Sequence, residues 1–276
     1  MKKILLSLAA VLLTLYLAAC GYMYFRQQSL VFNPSREDVA LSVGEVQRAE
    51  NLQLTTPDGE ILKAWWVAPK PGRPVYLYLH GNAGNLRGSF NDLHGRAARF
   101  EGLTRDGAGL LALSWRGYGG SSGSPSEAGF HIDAETAAAW LREQHPQNKV
   151  IVFGESLGSG IAVQLAAKQE FAALVLDSPY TSIDDVGISR YPWLPVRLLS
   201  KYPFESEKFA PLVTAPVLIQ HCSEDRVVPA GHGRLMFEAF GSAEKLIRTV
   251  EGVCHVPSIL PELTLLRELE SRFTVK

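Results

Sequence analysis

Six short apolar runs do most to limit what this 276-residue chain can fold into: Val75–Leu79, Leu110–Ser114, Val150–Phe153, Ala173–Leu176, Val217–Gln220 and Leu246–Val250. Each run is continuous rather than alternating, which predicts a strand covered on both faces, and such strands belong to parallel sheets. Between and after them, Asn85–Phe100, Ser126–Gln144, Leu157–Gln169 and Ser258–Phe273 read as helices. Ser126 with Glu127 suits a helix start, Ala137-Ala138-Ala139-Trp140-Leu141 favours helix, and Leu157, Ile161 and Leu165 recur on one face. The alternation predicts an α/β fold, a mostly parallel central sheet flanked by helices. Ahead of it, Gln53–Pro57 and Ile61–Ala68 flank the turn signal Asp58-Gly59 and predict an antiparallel hairpin. Ser178–Ala215 breaks the pattern, because Tyr191-Pro192-Trp193-Leu194-Pro195 and Tyr202-Pro203 stop any long helix. That stretch reads as a small helical cap, about 178–215, inserted between two strands.

The first residues differ in kind. Met1-Lys2-Lys3 precedes an almost unbroken apolar run from Ile4 to Ala19, the pattern of an export signal or an anchor. The run ends Leu17-Ala18-Ala19-Cys20-Gly21, which resembles the bacterial lipoprotein lipobox and implies cleavage before Cys20 and acylation there. The competing reading is an uncleaved membrane helix continuing through Tyr22–Phe25 to Arg26, close to the ~20 residues needed to span a bilayer. Either way the lysines stay inside and everything after Arg26 lies outside the cytoplasm on a membrane surface. Residues 1–26 are thus expected to be a signal or anchor and residues 27–276 one folded body. The balance of 27 Lys+Arg against 28 Asp+Glu, with no run of either sign, argues against nucleic acid as a partner and leaves small molecules or lipids.

Within the body, Gly154-Glu155-Ser156-Leu157-Gly158 matches the G-x-S-x-G pattern, which means little alone in a chain with 24 glycines. Its setting matters more: a predicted strand runs in and a predicted helix runs out, as a nucleophile elbow requires. Glycine at 154 and 158 keeps β-carbons out of a close strand–helix crossing. A serine hydroxyl needs a base to accept its proton and a carboxylate to orient that base, in the chain order Ser, acid, His. Asp225 follows the run Val217–Gln220, and His255 is the only one of seven histidines after the last strand. Asp177, at the end of Ala173–Leu176, is the rival acid, with Glu224 a minor one. His80-Gly-Asn-Ala-Gly-Asn85 follows Val75–Leu79, where this chemistry places an oxyanion donor. The backbone of Asn82, or second of Ala83, is expected to supply one N–H and that of Leu157 the other.

Together, His80–Asn85, Arg116-Gly-Tyr-Gly-Gly-Ser-Ser-Gly-Ser-Pro-Ser-Glu127, Gly154–Gly158, Asp225-Arg-Val-Val-Pro229 and His255 resemble the membrane-anchored α/β-hydrolase-domain serine hydrolases. Gln28–Pro34 is similar to the segment linking their anchor to the fold. The resemblance implies an α/β-hydrolase fold and an esterase, lipase or thioesterase acting on acyl esters, with no metal and no organic cofactor. A silent binding lipoprotein, an acyltransferase or a peptidase on the same residues are the alternatives. Two departures from the family's pattern are His221-Cys222, where His-Gly is usual, and Cys254-His255, where Gly-His is usual. If Asp225 and His255 are hydrogen-bonded, their loops lie side by side, and Cys222 and Cys254 could form a disulfide in an oxidising compartment. In the cap, Tyr191, Trp193, Leu194 and Leu198 are candidates for lining an acyl pocket, touching a membrane or simply packing the cap.

Overall fold

The computed structural model describes residues 1–40, 46–88 and 95–256, and in it the six apolar runs become neighbouring parallel strands of one sheet. In chain order the elements are α1 (Lys2–Val31), β1 (Asn33–Pro34), β2 (Ala49–Thr55), β3 (Ile61–Val67), β4 (Val75–Leu79), β5 (Ala83–Gly84), α2 (Gly95–Thr104), β6 (Gly109–Leu113), α3 (Glu127–Gln144), β7 (Val150–Glu155) and α4 (Leu157–Lys168). They continue as β8 (Ala173–Asp177), α5 (Ile183–Arg190), α6 (Val196–Leu199), α7 (Ser206–Phe209), β9 (Val217–Cys222), α8 (Gly231–Ala239) and β10 (Lys245–Val250). The eight-stranded sheet has the order β10-β9-β8-β7-β4-β6-β3-β2. The hairpin β2–β3 closes one edge, β3 pairing antiparallel with both β2 and β6, while every other pairing in this sheet is parallel. This is the predicted α/β class.

Side chains alternate across the sheet as the pleat requires. Tyr76, Tyr78, Ile151, Phe153 and Val175 pack on one side with Phe100 and Leu103 of α2. Leu77, Leu79, Val152, Leu174 and Leu176 pack on the other with Phe130, Ala134, Ile161 and Leu165 of α3 and α4. Burying both faces explains the continuous runs, since every residue of a central strand enters a core worth ~1.5–3 kcal/mol per large side chain.

Two helices differ from the reading of sequence alone. Ser126 caps α3, its side chain accepting from the Gly129 amide at 3.1 Å. The helix read at Asn85–Phe100, by contrast, starts at Gly95 and runs to Thr104. Asn85 instead folds back on Gly88 through paired backbone hydrogen bonds of 3.1 Å, and its Oδ1 accepts from the Arg87 amide, a turn that competes with helix. The helix read at Ser258–Phe273 lies outside the described residues. Between β8 and β9 the prolines leave only the short α5, α6 and α7 and a 3-10 turn at Ala210–Leu212. Leu194 is buried there, while Trp193 and Leu198 are exposed.

Candidate active site

Ser156 sits between β7 and α4 with φ 48° and ψ −117°, a conformation that non-glycine residues avoid. The crossing that imposes it is tight. A β-carbon on Gly158 would overlap the Leu79 carbonyl oxygen, and one on Gly154 would come within 2.7 Å of Ala162 Cβ. The half-buried hydroxyl of Ser156 lies at the start of α4, where the helix dipole favours negative charge.

Three of the predicted residues meet here from three loops. Ser156 Oγ is 2.8 Å from His255 Nε2, and His255 Nδ1 is 2.8 Å from Asp225 Oδ2. Asp225 is buried, and burial alone would raise its pKa. Hydrogen bonds from His221, His255 and the Val227 amide outweigh that and hold the carboxyl below the usual carboxylate range. Its Oδ1 accepts from the amides of Val227 at 2.8 Å and Val228 at 3.0 Å. An ionised carboxylate only accepts, so the proton of this pair sits on His255 Nδ1, leaving Nε2 free to accept from Ser156. The backbone oxygen of His255 also accepts from the Ser178 hydroxyl.

The rival acids are elsewhere. Asp177 is fully buried, ion-paired with Arg99 of α2 and hydrogen-bonded by Gln220 Nε2 at 3.2 Å. Glu224 is exposed. Cys222 and Cys254 are joined in a disulfide with a Cα–Cα distance of 5.6 Å, tying the end of β9, before Asp225, to the residue before His255. Cys20 is a free thiol, buried along α1.

The Asn82 loop packs directly against the elbow: a β-carbon on Gly81 would lie 3.3 Å from Ser156 Cβ and 2.7 Å from Glu155 Oε1. Among the described residues neither the Asn82 nor the Leu157 amide donates to a backbone carbonyl. The Asn82 side chain is committed differently, Oδ1 accepting from the Tyr118 hydroxyl and the Asn33 amide, both at 2.9 Å.

Behind this loop is a buried network that sequence reasoning missed. Arg96 of α2 holds Glu155 Oε1 at 2.6 Å and donates to the backbone oxygens of Ala83 and Asn85. Glu155 also accepts from the Tyr78 hydroxyl and, at 3.3 Å, from the Gly81 amide. Burial would raise the Glu155 pKa, but Arg96 and Arg99 overcome it and keep the carboxyl well below its ordinary value. The residue before Ser156 therefore fastens both ends of the Asn82 loop. A charged residue closing a fully apolar strand was the available signal, because a carboxylate there demands a buried cation. His80 is also fully buried; desolvation, helped by the Arg96 charge, pushes its pKa down to about 3, so the ring is neutral.

Residues 74–201 match the α/β-hydrolase-fold family. The chain is 31% identical to protein bem46 of Schizosaccharomyces pombe over 259 residues, covering 88% of this chain and 84% of that protein. It is 30% identical to the lysophosphatidylserine lipase ABHD12 of Xenopus tropicalis over 191 residues, 63% of this chain and 48% of the lipase. A Pyrococcus furiosus esterase structure superposes with a TM-score of 0.71 at 20% identity, covering 88% of this chain and 97% of the esterase. Fold and relatives define an α/β hydrolase. The chain belongs to that family, with homologues in its bem46 and ABHD12 group.

Proposed function

We propose that this protein is a serine hydrolase that cleaves carboxylic ester or thioester bonds of acyl substrates through a covalent acyl-enzyme. The observation that carries the reading is the continuous relay from Ser156 Oγ through His255 to Asp225, each link 2.8 Å. Ser156 Oγ attacks the acyl carbonyl while His255 Nε2 takes its proton, and Asp225 stabilises the imidazolium that results. The carbonyl oxygen becomes an oxyanion that accepts from the Asn82 and Leu157 amides, a contribution of ~3–4 kcal/mol per donor. As the tetrahedral adduct collapses, the bond to the leaving oxygen or sulfur breaks and His255 returns the proton to it. Water then repeats the sequence on the acyl-enzyme and frees the acid. No step calls on a metal or an organic cofactor.

The lipid-like end of this substrate range is favoured by the exposed apolar helix α1, a signal or membrane anchor, and by a relative that is a lysophospholipid lipase. With Lys2 and Lys3 inside, the body works at the outer face of a membrane, held by α1 itself or by a lipid on Cys20. Fluorophosphonate labelling tests the chemistry: the wild type takes the label, Ser156→Ala does not. The same pair on p-nitrophenyl esters of increasing chain length should differ by at least ~10³-fold in kcat. Equal labelling of folded wild type and Ser156→Ala would overturn the assignment.

A further inference from the structure

The helix α1 does not hang from the body on a tether. It ends at Val31, and the next residue, Phe32, is buried with its ring 5.4 Å from Phe130, 5.0 Å from Tyr202 and 6.2 Å from Phe204. Asn33 and Pro34 then pair in register with Ala83 and Gly84. Along the last turns, Gln27 donates to the Leu199 oxygen at 2.5 Å and accepts from the Lys201 amide at 2.7 Å, and Gln28 donates to the Pro125 oxygen at 3.1 Å. Such a junction fixes the tilt of the body against the helix.

It also fixes which face of the body meets the bilayer. Higher on α1, the Lys201 ammonium lies 3.8 Å above the Tyr24 ring, and the Tyr16 hydroxyl donates to the Trp193 oxygen at 3.3 Å. The cap edge around α6 thus runs beside α1 from Gln27 to Tyr16, eleven residues or ~16 Å of helix. Tyr16 is nine residues, ~13 Å, inside the apolar helix from Phe25. Whatever medium surrounds that part of α1 also surrounds Trp193, which is 56% exposed, and the neighbouring segment holding Leu198, 83% exposed. The Tyr16 hydrogen bond satisfies a Trp193 carbonyl that would be costly to leave bare in hydrocarbon.

We infer that the cap edge carrying Trp193 and Leu198 docks into the bilayer leaflet that holds α1, so that the acyl substrate is drawn from that leaflet rather than from water. The docking rests on α1 being kept whole as the membrane anchor, and the substrate route rests on the hydrolase reading.

Tryptophan quenching tests the docking without catalysis. Trp65, Trp66 and Trp115 are buried and Trp140 is half-buried, leaving Trp193 as the exposed reporter. With the full chain in phosphatidylcholine vesicles carrying brominated acyl chains, wild-type emission should lose a component that is absent from Trp193→Phe. Equal quenching of the two proteins, as a second copy or a protein partner covering Trp193 would give, overturns the docking. For the route, Leu198→Lys should raise KM at least fivefold for a lysophospholipid presented in vesicles and leave p-nitrophenyl acetate hydrolysis unchanged. An unchanged KM for both overturns the route. If neither substrate is hydrolysed even by the wild type, the hydrolase reading and the route fall together, while quenching still decides the docking.

Discussion

Glu155 shows how much of the Ser156 site lies outside the three residues of its relay. Its carboxylate is tolerable in the core only because Arg96, Tyr78 and the Gly81 amide surround it. Glu155→Gln leaves the Arg96 guanidinium without its counter-charge, and the expected loss in urea unfolding is ~3–5 kcal/mol. Under the proposed chemistry, kcat on p-nitrophenyl acetate should fall as well in conditions where the variant is folded, since the carbonyls of Ala83 and Asn85 are held by the same Arg96. His80, two residues before Asn82, gives a pH signature. Its folded pKa of about 3 lies below the ordinary 6.5, so below pH 6.5 the unfolded chain binds a proton that the folded one refuses. The stability it contributes is whole above pH 6.5 and is lost as pH falls toward 3, at ~1.4 kcal/mol per pH unit. Denaturation of wild type and His80→Asn at pH 7 and 4.5 should show the wild type losing more by that slope; parallel losses would contradict a neutral buried ring. Ser156, Asp225 and His255 were readable because local patterns mark each of them. Arg96 was not: on a helix of mixed composition an arginine reads as surface, and only its partner 59 residues away explains its burial.

At the scale of elements, two loops from adjacent strands carry Asp225 and His255, and the disulfide between Cys222 and Cys254 closes them together. The bridged positions are 32 residues apart in sequence, for which the loss of unfolded-chain entropy gives ~3–4 kcal/mol. Replacing both cysteines by serine should lower the unfolding free energy by about that amount. Because neither sulfur takes part in the relay, kcat should change less than tenfold at temperatures where the variant is folded. A melting temperature equal to the wild type's would show that the bridge constrains nothing. The strands were legible as continuous apolar runs because burial on both faces imposes that composition on any sequence. The start of α2 was not, because the Asn85 side chain and the Gly88 backbone favour a turn whose advantage is local geometry rather than hydrophobic period.

For the whole molecule, the unexpected element is the junction between α1 and the body. The sequence marks residues 1–26 as different in kind, which invites a picture of an anchor joined to a catalytic unit by a neutral linker. The packing replaces that picture with one structure: the Phe32 ring fills a space between α3 and the cap, and the next amide, Asn33, donates to the side chain of Asn82. No periodicity in Gln28–Pro34 announces this, since its partners lie about 50 to 170 positions away in sequence. The consequence can be measured. Phe32→Ala removes a fully enclosed ring, for which the cost is ~3–5 kcal/mol. If junction and body are one unit, thermal unfolding followed at the buried tryptophans should shift down by that amount. Hydrolysis of p-nitrophenyl acetate should slow in kcat with little change in KM, because the Asn82 amide, proposed above to meet charge only in the transition state, loses its brace. A variant with the wild-type melting curve and kcat would mean that α1 and the body are independent, and that the segment after the anchor merely connects them.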